Sequence, residues 1–149
     1  MRVRELGHIV LYVRELERSA EFYGQLLGWQ SLPMPAGMPA AAFSSGRTHH
    51  ELLLIEIGKS AAPASRGHRA GLYHFGLKIG DSDDDLRAAL QVIAQYDITL
   101  TGMSDHTVTH SLYITDPDGN QIELYVDVPG VDWQAHPELI TAPTKPFNL

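Results

Sequence analysis

The chain has 149 residues, 44% hydrophobic and 19% charged, with a formal net charge of −7, which fits a single globular domain large enough to bury a core. The acidic balance and the lack of any Lys/Arg cluster argue against a nucleic-acid surface, and no apolar run nears the roughly 18 residues of a membrane-spanning helix. With no cysteine there is no disulfide framework, thiolate zinc site or cysteine nucleophile, and a reducing cytoplasm is the default setting.

The N-terminal "LGHIVLYV" reads as a strand over Gly7 to Val13, too short and too soon followed by Arg14 and Glu15 to be a signal peptide. A helix is expected over about Glu15 to Leu27, where Leu16, Ala20, Tyr23 and Leu27 fall at steps of four, three and four before a stop at Gly28. Short strands are expected at Gln30 to Leu32, Ala41 to Phe43 and Glu51 to Ile57. A linker rich in Ala, Ser, Pro and Gly follows, about 59–70. "YHFGLKI", from Tyr73 to Ile79, then repeats the H-x-x-L-x-[VI] pattern of "GHIVLYV". The second helix is expected over Asp83 to Gln95, with Leu86, Leu90 and Ile93 on one face and Ser82 and three aspartates at its positive end. Strands at Ile98 to Thr101, Ser111 to Thr115 and Gln121 to Asp127 complete the second half, the last two joined by the turn Asp116-Pro117-Asp118-Gly119. The segment from Val128 holds four prolines and reads as an irregular wrap.

Each half therefore reads as βαβββ. The expected fold is α+β, two such modules (about 3–58 and 71–127, with a tail over 128–149) in one domain of residues 1–149 whose sheets curl into a cup around a metal site. Strand alternation selects the residues that would line it. Ile9, Leu11 and Val13 form one face of the first strand, so His8 belongs to the other. His74 holds the equivalent place in the repeat, and Glu123 opposes Ile122 and Leu124 in the last strand. A carboxylate turned inward needs a cation or a strong hydrogen-bond partner. Two neutral imidazoles with one carboxylate are the facial triad of non-haem Fe(II) enzymes, and the same set suits Zn²⁺, Ni²⁺ or Mn²⁺.

"LGHIVLYV", "EFYGQLLGW", "GLYHFGLKI" and "DPDGNQIELY" resemble the vicinal oxygen chelate superfamily, which contains glyoxalase I, extradiol dioxygenases, fosfomycin-resistance transferases and bleomycin-resistance proteins. The resemblance covers about Val3 to Asp127 and implies His8, His74 and Glu123 as ligands of one divalent metal. "HHELLLIEI" and "SDHTVTHSLYITDPDGNQIELYVDVPGVDWQ" are most similar to catechol 2,3-dioxygenase-type members. That resemblance implies Fe(II), O2 and a catecholic small-molecule substrate, with a catalytic tyrosine ten residues before the glutamate; 123 − 10 gives Tyr113. It also implies acid–base histidines, for which His50, His106 and His110 are candidates, and a homodimer. A second enzyme reading is open, because Glu56 in "LLLIEIG" resembles the fourth ligand of glyoxalase I, an isomerase or lyase using Ni or Zn. Its strand is apolar on both faces, so alternation leaves the direction of Glu56 open. The third reading, a drug-sequestering protein of the bleomycin-resistance kind, sits least well with a full ligand triad.

Overall fold

The computed structural model describes residues 1–64, 67, 68 and 70–149. The chain forms two compact units, Met1–Ala64 and Ser65–Leu149. The linker expected over 59–70 straddles their boundary, and its residues 65, 66 and 69 lie outside the described residues.

The first unit runs β1 (Ile9–Val13), α1 (Leu16–Leu27), β2 (Gln30–Leu32), β3 (Ala40–Ser44) and β4 (Leu52–Glu56). Its four strands lie in the order β1-β4-β3-β2, with β1 parallel to β4 and the other pairs antiparallel. Leu11, Val13, Leu52, Leu54 and Phe43 are buried, as is Tyr23 on the helix that packs over β3 and β4. Each such side chain is worth about 1.5–3 kcal/mol of burial. Gly28 ends α1 in the left-handed conformation (φ 61°), which glycine adopts without a Cβ penalty.

The second unit repeats the scheme with β5 (His74–Gly80), α2 (Asp83–Gln95), β6 (Leu100–Asp105), β7 (Thr109–Thr115) and β8 (Gln121–Asp127). A short 3₁₀ turn (Pro137–Thr141) and a two-residue strand, β9 (Lys145–Pro146), follow. The strand order is β5-β8-β7-β6-β9, so each unit contributes one open sheet and one helix, the expected α+β arrangement of two βαβββ modules. Ile122, Leu124 and Val126 share a buried face with Phe75, Leu112 and Ile114 under Leu86 and Ile93 of α2. Asp116 shapes the β7–β8 turn: one carboxylate oxygen accepts the N–H groups of Asp118 (2.9 Å) and Asn120 (2.7 Å), and its carbonyl accepts that of Gly119 (3.1 Å).

Two elements differ by more than the one- or two-residue shifts seen at other strand ends. The strand placed at Ile98 to Thr101 begins at Leu100 and runs on to Asp105. Asp97 has positive φ (51°) and the N–H of Ile98 still bonds back to the carbonyl of Ile93 on the helix, so the chain is turning there and extends only afterwards. The tail is irregular over most of its length, as expected, but also adds a two-residue strand at one end of the sheet edge, Lys145 and Pro146 pairing with Asp105 and Ser104. Proline is tolerated on that edge because the outer side of the strand needs no donor. Among the described residues, no helix is long and apolar enough to cross a membrane.

Candidate metal and proton-transfer site

In the second unit the register fixes which side chains meet. Tyr113 lies opposite Glu123 across the antiparallel β7–β8 pair, and Gly76 lies opposite Glu123 across the parallel β5–β8 pair. Directly opposed residues share a sheet face. His74, two residues before Gly76, therefore shares the face of Glu123 and Tyr113. Ser104 and Gly102 of β6 pair with Ser111 and Tyr113, and His106 continues their phase just beyond the strand.

The side chains converge on the Glu123 carboxylate. Its Oε1 accepts hydrogen bonds from the Ser111 hydroxyl (2.7 Å) and the Tyr113 hydroxyl (3.1 Å). Its Oε2 stands 3.2 Å from His74 Nε2. His106 Nε2 is 2.7 Å from the Tyr113 hydroxyl but 3.8 Å from Glu123 Oε1, so the tyrosine mediates between imidazole and carboxylate. Since the Tyr113 proton points to Glu123, its oxygen is left to accept from His106 Nε2–H. Burial, reinforced by the Glu123 charge, holds the Tyr113 phenol above its usual pKa. The group is a hydrogen-bond donor rather than a phenolate.

His74 and Glu123 suit a metal ion chemically and by spacing. Two ligands each about 2.1 Å from one ion, at 90–109° to each other, lie roughly 3.0–3.4 Å apart, and the observed separation is 3.2 Å. The Tyr125 ring packs close over Gly76, where a Cβ would press on it at 3.3 Å and lie in ordinary contact, 3.5 Å, with Glu123 Oε2. The buried Nδ1 of His74 has no protein hydrogen-bond partner among the described residues. Those residues contain no group of three or more His, Cys, Asp or Glu side chains arranged around one metal position.

In the first unit His8 immediately precedes β1 and gathers with His50 (ring centroids 4.4 Å apart) and His49 (6.1 Å). The loop carrying His49 and His50 is held by Glu51, whose carboxylate accepts the N–H groups of Ser45 and Thr48 (2.9 Å each). Arg47 ties it to the carbonyls of Leu6 and Gly7 (3.2 and 3.0 Å). Desolvation, then the neighbouring His49 and His8, lowers the pKa of His50 and favours its neutral ring.

Two candidates from the sequence lie elsewhere. His110 pairs with Val126, in phase with Leu112 and Ile114, and so faces α2 rather than Glu123. Its Nδ1 is 2.6 Å from the Asp83 carboxylate and its ring stacks on Phe147 at 4.1 Å. Glu56 shares the helix-side phase of Leu52 and Leu54, and its carboxylate accepts the N–H of Leu16 at 2.7 Å, anchoring the start of α1. If His8 corresponds to His74, then Val10 corresponds to Gly76. Val10 pairs with Leu53 where Gly76 pairs with Glu123. Leu53, not Glu56, thus occupies the first-unit counterpart of Glu123. Ser111 and His49 were not singled out from sequence; the parity of Ser111 with Tyr113 is a signal that could have found it.

Residues 5–124 match the family model of the Glyoxalase/Bleomycin resistance protein/Dioxygenase superfamily. The chain is 36% identical over 129 residues to catechol-2,3-dioxygenase of Bacillus subtilis strain 168, covering 87% of this chain and 44% of that protein. It is 28% identical over 123 residues to biphenyl-2,3-diol 1,2-dioxygenase 2 of Rhodococcus globerulus, covering 83% and 63%. It spans less than two thirds of either relative's length. Among solved structures, a glyoxalase/dioxygenase from Nostoc punctiforme superposes with a TM-score of 0.70 at 25% identity, covering 84% of this chain and 92% of that one. Lactoylglutathione lyase from Agrobacterium tumefaciens shares the fold, with a TM-score of 0.63 at 22% identity, covering 85% and 96%. The matched pattern spans both repeats, and the chain belongs to the glyoxalase/bleomycin resistance protein/dioxygenase superfamily.

Proposed function

We propose that this protein is an extradiol ring-cleaving dioxygenase acting on a catecholic substrate with Fe(II) and O2. The observation that carries this reading is the Tyr113 hydroxyl set between His106 Nε2 and Glu123 Oε1, beside the His74–Glu123 pair. Similarity to a protein named catechol-2,3-dioxygenase supports it. His74 and Glu123 would be ligands. The sequence repeat, rather than any measured distance, brings in His8 as the third. A bound ferrous ion would supply the redox chemistry by which O2 reacts with a catechol.

The chain's own residues then have separable tasks. Ser111 and Tyr113 both donate to Glu123 Oε1, which fixes the carboxylate and leaves Oε2 facing His74. Tyr113, held in its protonated form, orients rather than abstracts. His106 is the imidazole placed to hold or return a proton at the Tyr113 oxygen, and His50 is the corresponding candidate in the first unit. His110, turned to the helix side, is given no part in the chemistry. The glyoxalase reading is less well supported, because its fourth carboxylate has no counterpart at Leu53 and Glu56 is engaged with α1.

The test is anaerobic reconstitution with Fe(II), followed by a screen of catechols under O2 for yellow ring-cleavage products. Iron-loaded protein that cleaves none of them, together with Ni²⁺- or Zn²⁺-dependent turnover of a methylglyoxal–thiol adduct, would overturn the proposal.

A further inference from the structure

The hydrogen-bond chain around Glu123 does not stop at His106. Its other ring nitrogen, Nδ1, is 3.3 Å from the hydroxyl of Thr144, in the segment leading into β9. The directions are consistent from end to end. Tyr113 donates to Glu123, so His106 Nε2–H donates to Tyr113, which leaves Nδ1 bare and able only to accept. Thr144 is the group that can donate there. We propose that Thr144 is a positioning residue: its hydroxyl selects the Nε2–H tautomer of His106 and so aims that proton at Tyr113.

The tail is built to hold Thr144 in place. Lys145 pairs with Asp105 in the backbone and approaches its carboxylate at 3.6 Å, Pro146 pairs with Ser104, and Phe147 stacks on His110. A tail docked only to cover an edge would need no hydroxyl at 144. Thr144 also lies outside the 5–124 stretch that matches the family. Without a donor at Nδ1 only the contact with Tyr113 holds the Nε2–H form, and the other tautomer would set a bare Nε2 against the Tyr113 oxygen, drawing the phenol proton away from Glu123.

The consequence for turnover rests on the ring-cleavage reading, whereas the tautomer does not. The experiment therefore reads the tautomer directly, by two-bond ¹H–¹⁵N correlation of ¹⁵N-histidine-labelled, metal-free protein above the ordinary imidazole titration range, with His106→Gln identifying the His106 signals. Wild type and Thr144→Ser should show His106 as Nε2–H, and Thr144→Val should show a mixture or the Nδ1–H form. Nδ1–H in the wild type, or an unchanged tautomer in Thr144→Val, would overturn the inference. If wild type cleaves a catechol, Thr144→Val should lower kcat roughly tenfold with KM within about twofold, and Thr144→Ser should restore it. A changed tautomer with unchanged kcat would remove the positioning role. Failure of the wild type to cleave any catechol would count against the proposed function while the nitrogen shifts still decide this inference.

Discussion

Replacing Tyr113 by Phe removes one oxygen with two hydrogen bonds, at 2.7 Å to His106 and 3.1 Å to Glu123. Glu123 Oε1 keeps the Ser111 hydroxyl at 2.7 Å, so the carboxylate is not orphaned. His106 loses the Tyr113 oxygen as acceptor on its Nε2 side, but its side chain is 28% exposed and water can take part of that role. The expected loss of stability at pH 8 is thus small, about 1–2 kcal/mol. The effect on turnover should be larger, because the hydroxyl that orients His106 and Glu123 is gone: on the order of 10²-fold in kcat, about 2.7 kcal/mol of barrier, with iron content unchanged. A pH signature accompanies this. The folded-state pKa of Tyr113 is raised, chiefly by burial and then by Glu123, so the folded state keeps its proton where the unfolded chain, titrating near 10, releases it. The Tyr113 contribution is complete below pH 10 and is lost as pH rises above it. Urea unfolding of wild type and Tyr113→Phe at pH 8 and pH 11 should show the wild-type advantage shrinking at the higher pH. An advantage that is unchanged between the two, or a Tyr113→Phe kcat within twofold of wild type on a cleaved catechol, would refute the reasoning.

His74→Ala or Glu123→Ala should each cut Fe(II) loading at least tenfold while leaving far-UV circular dichroism intact, as should His8→Ala if it completes the set; metal analysis after reconstitution checks all three. Glu56→Ala should lower the unfolding free energy by about 1 kcal/mol through loss of the helix-start acceptor, with metal affinity and catechol cleavage within a few-fold of wild type; a loss of 10²-fold or more in metal affinity would make Glu56 a ligand. Gly80→Ala should destabilise by roughly 1–3 kcal/mol in a thermal melt, because the added Cβ would collide with the Asp85 carboxylate, which accepts the N–H groups of Asp81 and Ser82. An unchanged melting temperature would show that Asp85 can move aside.

What could be read ahead of the structure followed from where one physical signal dominated. The bounds of α2 were legible because Ser82 and three aspartates mark its start and Leu86, Leu90 and Ile93 leave no other phase. Tyr113 and Glu123 were legible because strict alternation on β7 and β8 leaves each only one face. His110 obeys the same alternation, and its parity with Leu112 already pointed to the helix side. Glu56 was beyond alternation, since its strand is apolar on both faces; only the β1–β4 register and the Leu16 contact settle its place. β9 gave no sequence signal, being two residues long with one a proline, and it exists through its pairing with β6. Thr144 stayed hidden for the same reason.

The two helices also begin in different ways, and this bears on how the chain folds. The start of α2 is secured within its own turn: Asp85 reaches back to the N–H of Ser82 at 3.0 Å and to its hydroxyl at 2.9 Å. Such contacts close small loops and form early at little entropic cost. At α1 the residue before the helix, Glu15, makes no side-chain cap bond, and the first N–H is met by Glu56, 40 residues away. That bond can form only once β4 has found β1, so the first turn of α1 should gain protection from hydrogen exchange together with β4, whereas the first turn of α2 can be protected while its sheet is still assembling.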